Sequence, residues 1–244
     1  MKELSKSIPR RLRDPNFMRR YFVGKGVDIG GKPDPLSLYG ELFPLMGDVR
    51  VWDWEDGDAQ FMASVPDNTF DFVNSSHCLE HLEDPLLGLR NWLRVLKPGG
   101  YIVALVPDED LYEQRVWPST NNRDHKHTFT ILKSSSWNEK SISLLRLFAE
   151  LGPDVRVEKI ELQNATFRYD MPRYDQTMTP IGECAIEFVL RKAGPEEVAA
   201  GGPVWDHAQP SEDLRIHYNQ YRDDYAAMKN GNSSAPPFTN RSPL

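Results

Sequence analysis

The chain is organised around the stretch Gly26-Val27-Asp28-Ile29-Gly30-Gly31-Lys32-Pro33-Asp34. Its first residues are typical of the end of a short buried strand, and the two glycines allow a tight turn that brings bare backbone close to a ligand. An acidic side chain at such a strand end can accept hydrogen bonds from a nucleoside-bearing ligand. Since Gly-Gly is also common at turns that bind nothing, the stretch alone leaves both interpretations open.

The order of the following segments favours a ligand-binding α/β domain. A strand over residues 68–77 leads into a Ser/His loop, and Asp84-Pro85 is a typical start for the apolar helix over residues 86–96. Lys97-Pro98-Gly99-Gly100 then ends that helix before an apolar strand over residues 101–106. Alternating strands and helices of this kind predict a mainly parallel sheet.

Together these motifs resemble the class I S-adenosylmethionine-dependent methyltransferases, in particular a small-molecule branch with the series DxGxG, FDxV, LEH and RVLKPGG. The resemblance runs from about residue 22 to 110 and, more loosely, to about residue 192. It implies a Rossmann-like α/β fold whose seven-stranded, mostly parallel sheet has helices on both faces. Residues 155–162 and 184–191 would be its sixth and seventh strands, the seventh being antiparallel. S-adenosylmethionine is the implied cofactor, and S-adenosylhomocysteine its product.

The resemblance places the cofactor across the ends of the first, second and fourth strands. In the first motif it implies contacts from Asp28, Gly30 and Gly31. After the fourth strand, Ser76 and His77 would lie at the carboxyl edge of the sheet, where open α/β sheets bind ligands. His77 could contact the methionine part of the cofactor or the acceptor.

The end of the second strand supplies the nucleoside-binding residues in this family. Asp53 would hold the ribose hydroxyls, since one carboxylate can accept both hydrogen bonds, and Asp58-Ala59 resembles the segment that contacts adenine. The short spacing leaves no room for the helix that the family has here. Either that helix is missing, or Asp53 and Asp58 exchange roles. Trp54 offers a flat surface on which an adenine could stack.

The connection after the fifth strand is where such methyltransferases bind their acceptors. His125 or His127 is a candidate general base, because an imidazole that titrates near neutrality can take up an acceptor proton, and Asp124 could orient it. The alternative is that these histidines are ordinary polar loop residues. Glu80 and His81 match the LEH element, which mostly supports its loop in this branch. The predicted acceptor-binding residues are Asp108, Tyr112, Arg123 and Lys126.

A divalent metal is a further alternative for the same connection. Suitable oxygen and nitrogen ligands are present, and some sugar methyltransferases use magnesium to position vicinal hydroxyls. No familiar metal-ligand spacing is completed, so we assign no metal. The five side chains concerned are Asp108, Asp110, Asp124, His125 and His127.

Composition narrows the class of protein. The chain has 244 residues, of which 39% are hydrophobic, and this suits one α/β domain with appendages. No apolar run approaches the ~18 residues of a membrane span. Cys78 and Cys184 form no CxxC pair, so neither a disulfide framework nor a structural zinc site is suggested, and a cytoplasmic enzyme is the simplest inference. The net charge of −7 argues against nucleic acid as a partner.

Charge and composition divide the chain into three parts. Residues 1–25 form a basic arm with eight basic and two acidic residues, residues 26–193 the methyltransferase domain, and residues 194–244 a C-terminal helix and a disordered tail. The arm either packs on the body through Phe17, Met18, Tyr21 and Phe22, or acts as a lid that meets an anionic substrate.

The remaining elements complete the sequence-based prediction. Residues 36–46 predict a short helix whose Leu38, Leu42 and Leu45 pack in the core, and a second helix should begin at Ser136-Trp137. An insert over residues 164–182 would cover the acceptor pocket or form a subunit contact, which leaves a homodimer open. Beyond it, the pattern predicts a polar helix over residues 212–229 and disorder over residues 230–244.

The expected reaction is methyl transfer to a small polar acceptor. A hydroxyl of a sugar or nucleotide-linked sugar in surface-glycan biosynthesis is the preferred acceptor, from the polar loop and the branch that the chain resembles. Two alternatives stay open. One is an N-methyltransferase of a small amine or amino-acid derivative, for which the acidic patch would hold a cation. The other is a catalytically silent, cofactor-binding regulatory homologue, which would fit the altered Gly30-Gly31-Lys32 turn.

Overall fold

The computed structural model describes residues 3–205, together with residues 222 and 226. The chain divides into two units, residues 1–202 and residues 203–244, and the elements below lie in the first. The polar helix predicted over residues 212–229, apart from its residues 222 and 226, and the tail over residues 230–244 lie outside the described residues.

A six-stranded sheet forms the centre of the first unit. Its strand order is β2-β1-β3-β4-β8-β7, with β8 antiparallel to both of its neighbours and the other pairs parallel. The predicted mostly parallel sheet with an antiparallel last strand is thereby confirmed. A short parallel pair, β5 and β6, stands apart from this sheet. The strands are β1 (Gly24–Ile29), β2 (Met46–Trp52), β3 (Phe70–Ser76), β4 (Leu96–Pro107), β5 (Thr128–Thr130), β6 (Ser141–Ser143), β7 (Val155–Gln163) and β8 (Ala185–Lys192).

The sheet has six strands where seven were predicted, because no strand forms between β2 and β3. Between β2 and β3 the chain forms a short 3-10 turn, Trp54–Asp56, followed by further turns. This segment is rich in Asp and Gly and has no apolar run that could form a buried strand. The spacing between Asp53 and Asp58 left two alternatives open, and the structure supports the one in which the family's helix is absent. Strand β2 is therefore the edge of the sheet.

Two helices cover one face of the sheet. They are α2 (Pro85–Val95) and α3 (Leu144–Glu150), which pack Trp92 and Phe148 into the same core as Val27 and Phe188 of the strands. Helix α2 begins as predicted: Oδ1 of its N-cap residue accepts a hydrogen bond from the amide of Leu87 at 3.0 Å. The helix predicted from Ser136 was wrong in its start, because residues 141–143 form β6 and α3 begins at Leu144.

The N-terminal segment covers the opposite face. It contains α1 (Leu4–Arg11) and a single π-helical turn, Phe17–Tyr21, whose apolar side chains contact Phe72 and Val189. Alternation along β3 places Phe72 and its neighbour Val73 on opposite faces, so each helical layer has its own core. The predicted packing of Phe17, Met18, Tyr21 and Phe22 on the body is therefore observed.

Buried charges fasten this segment to the sheet. Nε of Arg11 lies 2.8 Å from Oε2 of Glu187 on β8, and both side chains are fully buried. Arg10 reaches the same carboxylate at 2.6 Å and also pairs with Glu183. Burial alone would raise the pKa of Glu187, but the two guanidinium groups outweigh it and hold the pKa at about 2.

The segment between β1 and β2 forms a 3-10 helix, Leu36–Leu42, in place of the predicted α-helical packing. Leu38, Leu42 and Leu45 are exposed, whereas Leu36 and Phe43 are buried. The prediction assumed an α-helical repeat, but three residues per turn move side chains four apart off a common face. A last short helix, α4 (Pro195–Ala200), follows β8. Within the described residues, no helix combines the length and apolar character needed to cross a bilayer.

Candidate functional site

Two adjoining cavities lie at the carboxyl ends of β1, β2 and β3. The first has a volume of about 240 Å³ and the second about 500 Å³. Gly30, Lys32, His77 and His81 line both, so the two spaces meet at the glycine turn after β1. Carboxyl strand ends are where open α/β sheets bind ligands. All predicted cofactor-binding residues line this pair of cavities: Asp28, Gly30, Gly31, Ser76 and His77 the first, and Gly30, Asp53, Trp54, Asp58, Ala59 and His77 the second.

Asp28 holds the glycine turn in place. Its Oδ2 accepts a hydrogen bond from the amide of Leu36 at 2.7 Å, and its Oδ1 accepts one from Nδ2 of Asn74 at 2.5 Å. A Cβ added to Gly31 would lie 2.6 Å from Oδ2 of Asp28, and Gly30 has a φ of +70°, so the turn depends on both glycines. Burial raises the pKa of Asp28 to about 6, although these hydrogen bonds oppose the rise.

Asp53 lines the second cavity, and both of its carboxylate oxygens accept hydrogen bonds from main-chain amides. Oδ1 accepts the amide of Trp54 at 2.9 Å and Oδ2 the amide of Lys32 at 3.1 Å. A carboxylate has about four acceptor positions, so Asp53 retains capacity for two hydroxyl groups. Asp58 accepts the amide of Gln60 at 2.8 Å, and the indole of Trp54 is 90% exposed beside it. The wall of the second cavity therefore combines carboxylates that retain acceptor positions with an aromatic surface.

Glu80 is fully buried in the wall of the first cavity. Nδ1 of His77 lies 3.4 Å from its Oε1, and the Nε2 atoms of His81 and His125 each lie 3.9 Å from the same oxygen. Burial would raise the pKa of Glu80, but these imidazoles, His77 first, lower it below its usual value. Its main-chain oxygen also accepts the amides of Lys126 and His127 at 3.0 and 3.3 Å, which fixes the segment that carries His125.

The buried imidazole of His125 lines the first cavity and is held by Glu113. Nδ1 of His125 lies 2.8 Å from Oε1 of Glu113. The ring of Tyr112 packs against His125 with centroids 5.1 Å apart, and burial raises the pKa of its phenol, which stays a hydrogen-bond donor at neutral pH. Asp124 was predicted to orient a catalytic histidine next to it. Its carboxylate instead lies 2.9 Å from Nδ1 of His81.

Several of the other predicted residues lie elsewhere. Nε2 of His127 contacts the main-chain oxygen of Glu83 at 3.2 Å, and His127 lines neither cavity. Asp108 caps the turn Glu109–Glu113, accepting the amides of Asp110 and Leu111, and burial raises its pKa to about 6. Arg123 is exposed and lines neither cavity. Lys126 does line the second cavity, where it pairs with Glu83 at 2.7 Å.

The five side chains considered as metal ligands are not brought together. Asp108 is used as a cap, and Asp110 pairs with Lys133. Among the described residues, the ligand atoms of a different set lie within 4.8 Å of one another: Glu80, His81 and His125.

Sequence reasoning missed four residues of the site. Glu80 and His81 were assigned to loop support, although their position directly after β3 was a signal for a site residue. Glu113 carries no such signal, because it is far from His125 in sequence and reaches it through a reversal of the chain. Glu3 of the basic arm also lines the first cavity, and it too is far in sequence from the other residues of the site.

The N-terminal segment and the insert close the first cavity from one side. Glu3 and Leu4 line it together with Thr177 of the insert. Nζ of Lys6 donates to the main-chain oxygens of Thr177 at 2.6 Å and of Gly182 at 3.1 Å, which ties the two segments together. The insert therefore contributes to the cavity wall, as one of its two predicted roles requires.

Residues 44–104 match the model of a protein family described as a methyltransferase domain. An uncharacterized methyltransferase of Schizosaccharomyces pombe is 44% identical over 59 residues, 24% of this chain and 20% of that protein. The ajmaline N-methyltransferase of Rauvolfia serpentina is 35% identical over 81 residues, 33% of this chain and 27% of that protein. The chain thus spans well under half the length of either curated relative.

A solved structure is similar to this chain in its fold. A candidate methyltransferase of Bacillus halodurans aligns with a TM-score of 0.50 and 14% sequence identity, over 77% of this chain and 99% of that one. The matched segment 44–104 contains β2, β3, α2 and most of β4. The motif series and the sheet order of this chain are thus similar to those of the class I S-adenosylmethionine-dependent methyltransferases, and residues 44–104 match a methyltransferase domain.

Proposed function

We propose that the protein transfers the methyl group of S-adenosylmethionine to a small polar acceptor. The observation that carries this proposal is the pair of joined cavities, which meet at the glycine turn and differ in their chemistry. The second cavity offers Asp53 and Trp54 to a nucleoside, and the first brings His77, Glu80 and His125 to one point. Together the two cavities suit a cofactor whose nucleoside lies in the second cavity and whose methyl group reaches an acceptor in the first.

The donor groups of the second cavity fit the adenosine part of the cofactor. Asp53 has free acceptor positions for the two ribose hydroxyls, and the exposed indole of Trp54 provides a face for stacking. Asp58 and Ala59 line the same cavity, where they would contact the adenine edge. Both Gly30 and Gly31 lack a Cβ where one would crowd the turn, which lets the chain approach the methionine part closely.

The first cavity would hold the acceptor. In methyl transfer to a hydroxyl, the sulfur–carbon bond breaks as the oxygen–carbon bond forms, and the hydroxyl proton passes to a base. Most of the rate enhancement would come from proximity and in-line orientation of the two reactants. Of the predicted bases, His125 lines this cavity, and its Nε2 faces away from the Glu113 contact. A hydroxyl of a sugar or nucleotide-linked sugar of surface-glycan biosynthesis is the acceptor that we propose.

Methylation of a small amine is the second candidate. Glu3, Asp34 and Glu80 all line the first cavity, and such an acidic wall would hold an amine in its cationic form before it loses a proton and attacks. One relative named above is an N-methyltransferase, and the turnover assay below therefore includes amines as acceptors. A catalytically silent cofactor-binding homologue is the third candidate, and turnover of any acceptor excludes it. A cytoplasmic location and a homodimer remain predictions from the sequence.

The test begins with calorimetric titration of the full chain, treated with EDTA, with S-adenosylmethionine and S-adenosylhomocysteine. We expect saturable binding of both in the micromolar range. A turnover assay with a panel of sugars, nucleotide-linked sugars and primary amines then identifies the acceptor class from the labelled product. If neither cofactor form binds, the methyl-transfer proposal is wrong; binding without turnover of any acceptor favours the silent homologue.

A further inference from the structure

We propose that Glu80, His81 and His125 bind a divalent transition metal ion such as Zn²⁺ in the wall of the first cavity. The ligand atoms of these three side chains lie within 4.8 Å of one another. The set that the sequence suggested came from a single connection of the chain. The set found here combines two segments, since Glu80 and His81 follow β3 and His125 lies in the connection before β5.

The first step of the argument is the state of the two imidazoles. Nδ1 of His125 faces Oε1 of Glu113 at 2.8 Å, and Nδ1 of His81 faces Oδ2 and the main-chain oxygen of Asp124 at 2.9 and 3.2 Å. All these partners accept hydrogen bonds, so both imidazoles carry a proton on Nδ1. In the neutral imidazole, Nε2 then has a lone pair available for a metal.

The second step is that these lone pairs converge on a further acceptor. Both Nε2 atoms lie 3.9 Å from Oε1 of Glu80, which is too long for a hydrogen bond even if one imidazole carried a second proton. Neither carboxylate oxygen of the fully buried Glu80 accepts a hydrogen bond of regular geometry among the residues that the structure describes, and Nδ1 of His77 lies 3.4 Å from Oε1. A buried carboxylate so weakly bonded is costly, and a cation at the centre of these groups lowers that cost.

The third step is the support around the ligands. Histidines that bind metals almost always donate their other ring nitrogen to a carboxylate or a carbonyl oxygen, which fixes the ring and raises its basicity. Glu113 and Asp124 provide this arrangement here. Ligands of one zinc ion at its usual bond lengths lie roughly 3.3 Å apart. The two 3.9 Å distances to Oε1 of Glu80 therefore need to shorten by about half an ångström, and the two imidazole nitrogens, which lie within 4.8 Å of each other, also need to approach.

The ligand types select the metal. Two imidazoles and one carboxylate suit zinc, iron(II), cobalt(II) or manganese(II), whereas magnesium and calcium prefer oxygen ligands throughout. Because Glu80, His81 and His125 all line the first cavity, the remaining coordination positions face the space assigned to the acceptor. A metal on Nε2 of His125 would occupy the lone pair that a general base needs, so the two roles of His125 exclude each other.

The test is a titration of the tag-free full chain with Zn²⁺ after removal of bound metals, followed by calorimetry and by elemental analysis after dialysis. We expect one equivalent bound by the unmodified protein, with affinity at least 10-fold lower in His81→Ala and in His125→Ala. His127→Ala is the matched control, since His127 lies on the same segment but contacts Glu83. Its affinity should stay within twofold, and Mg²⁺ should not displace Zn²⁺.

Cobalt provides a measurement that needs no variant. Co²⁺ bound by two imidazoles and a carboxylate gives visible d–d absorption, which should saturate at one equivalent in the unmodified protein and disappear on addition of Zn²⁺. Absence of saturable Zn²⁺ and Co²⁺ binding overturns the proposal, as does equal affinity in the two ligand variants. Since the cofactor titration uses EDTA-treated protein, failure of the metal site leaves the methyl-transfer result independent of it.

Discussion

Nδ1 of His125 lies 2.8 Å from Oε1 of Glu113, a carboxylate twelve positions earlier in the chain. Both side chains are buried, and Oε2 of Glu113 has no hydrogen-bond partner in the described part of the molecule. Glu113 therefore acts on the site through the imidazole, whose proton it fixes on Nδ1. We class it as a positioning residue.

Replacing Glu113 by Gln should lower the rate of methyl transfer and leave the affinity for the cofactor product unchanged. The amide oxygen can still accept the Nδ1 proton, but the negative charge that orients the imidazole and raises its basicity is lost. We expect kcat of methyl transfer to fall about 10-fold or more, with the affinity for S-adenosylhomocysteine unchanged within twofold. Steady-state kinetics and calorimetry measure the two quantities.

Glu109→Gln is the matched control for this prediction. Glu109 is an equally buried glutamate of the same turn, but it contacts Lys133 and Ser136 and not a histidine. Both variants lose a buried charge, so a purely structural effect would lower the thermal stability and the rate in both. Equal loss of kcat in the two variants would contradict a positioning role for Glu113.

The fold could be predicted from the sequence because its signals are local. Asp84-Pro85 starts α2, and the strand segments are apolar runs bounded by turns, as the structure confirms. The residues predicted to bind the cofactor line two adjoining cavities for the same reason, since Asp28, Asp53 and His77 each lie at a strand end. Carboxyl ends of neighbouring parallel strands meet at one edge, so position in the chain was sufficient to place them.

The remainder of the site depends on contacts between distant segments. Asp124 directly precedes His125 in the chain, yet its carboxylate contacts His81. The fold of the loop, and not the residue types, decides which way the side chains of neighbouring residues point. Leu38 and Leu42 were misplaced because the helical repeat was 3-10 and not α. Hydrophobic spacing alone does not reveal which of these repeats a short segment adopts.

Asp53→Ala should weaken cofactor binding without affecting the acceptor side. Hydrogen bonds to a carboxylate contribute roughly 1.5–3 kcal/mol each when buried, and Asp53 is half-exposed, so we expect the dissociation constant of S-adenosylhomocysteine to rise on the order of 10-fold to 100-fold. Asp56→Ala is the control for the turn itself, because Asp56 pairs with Arg50 and accepts the amide of Asp53 at 3.1 Å but does not line the second cavity. Similar weakening by both variants in calorimetry would assign the effect to the turn and not to the Asp53 carboxylate.

Glu187 should contribute stability that disappears in acid. Its pKa in the folded protein is about 2, against 4.5 for an ordinary glutamate. A lowered folded-state pKa means that the contribution is complete above about pH 4.5 and is lost as the pH falls toward 2. The shift corresponds to roughly 3 kcal/mol at pH 7.

Urea unfolding of the unmodified chain and of Glu187→Gln measures this contribution. The variant resembles the protonated side chain, so its deficit in the free energy of unfolding should be about 3 kcal/mol at pH 7 and shrink to about 1 kcal/mol at pH 3. Glu183→Gln is the control, because Glu183 meets Arg10 at a less buried position. A deficit that is independent of pH would refute the assignment to the buried ion pair with Arg11.

Lys6 connects the basic arm to the insert, and its replacement tests whether the two act together as a lid. Its ammonium group donates to the main-chain oxygens of Thr177 and Gly182, while Glu3 and Leu4 beside it line the first cavity. In Lys6→Met the apolar stem remains, and both these hydrogen bonds and the ion pair with Glu3 at 2.8 Å are lost. We expect S-adenosylhomocysteine to dissociate several-fold faster, as followed by tryptophan fluorescence in a stopped-flow experiment.

Arg19→Met removes an exposed charge from the same arm away from both cavities and should leave the dissociation rate unchanged. Equal rates in Lys6→Met and the unmodified chain would mean that the arm is a fixed layer of the fold and does not gate the cofactor.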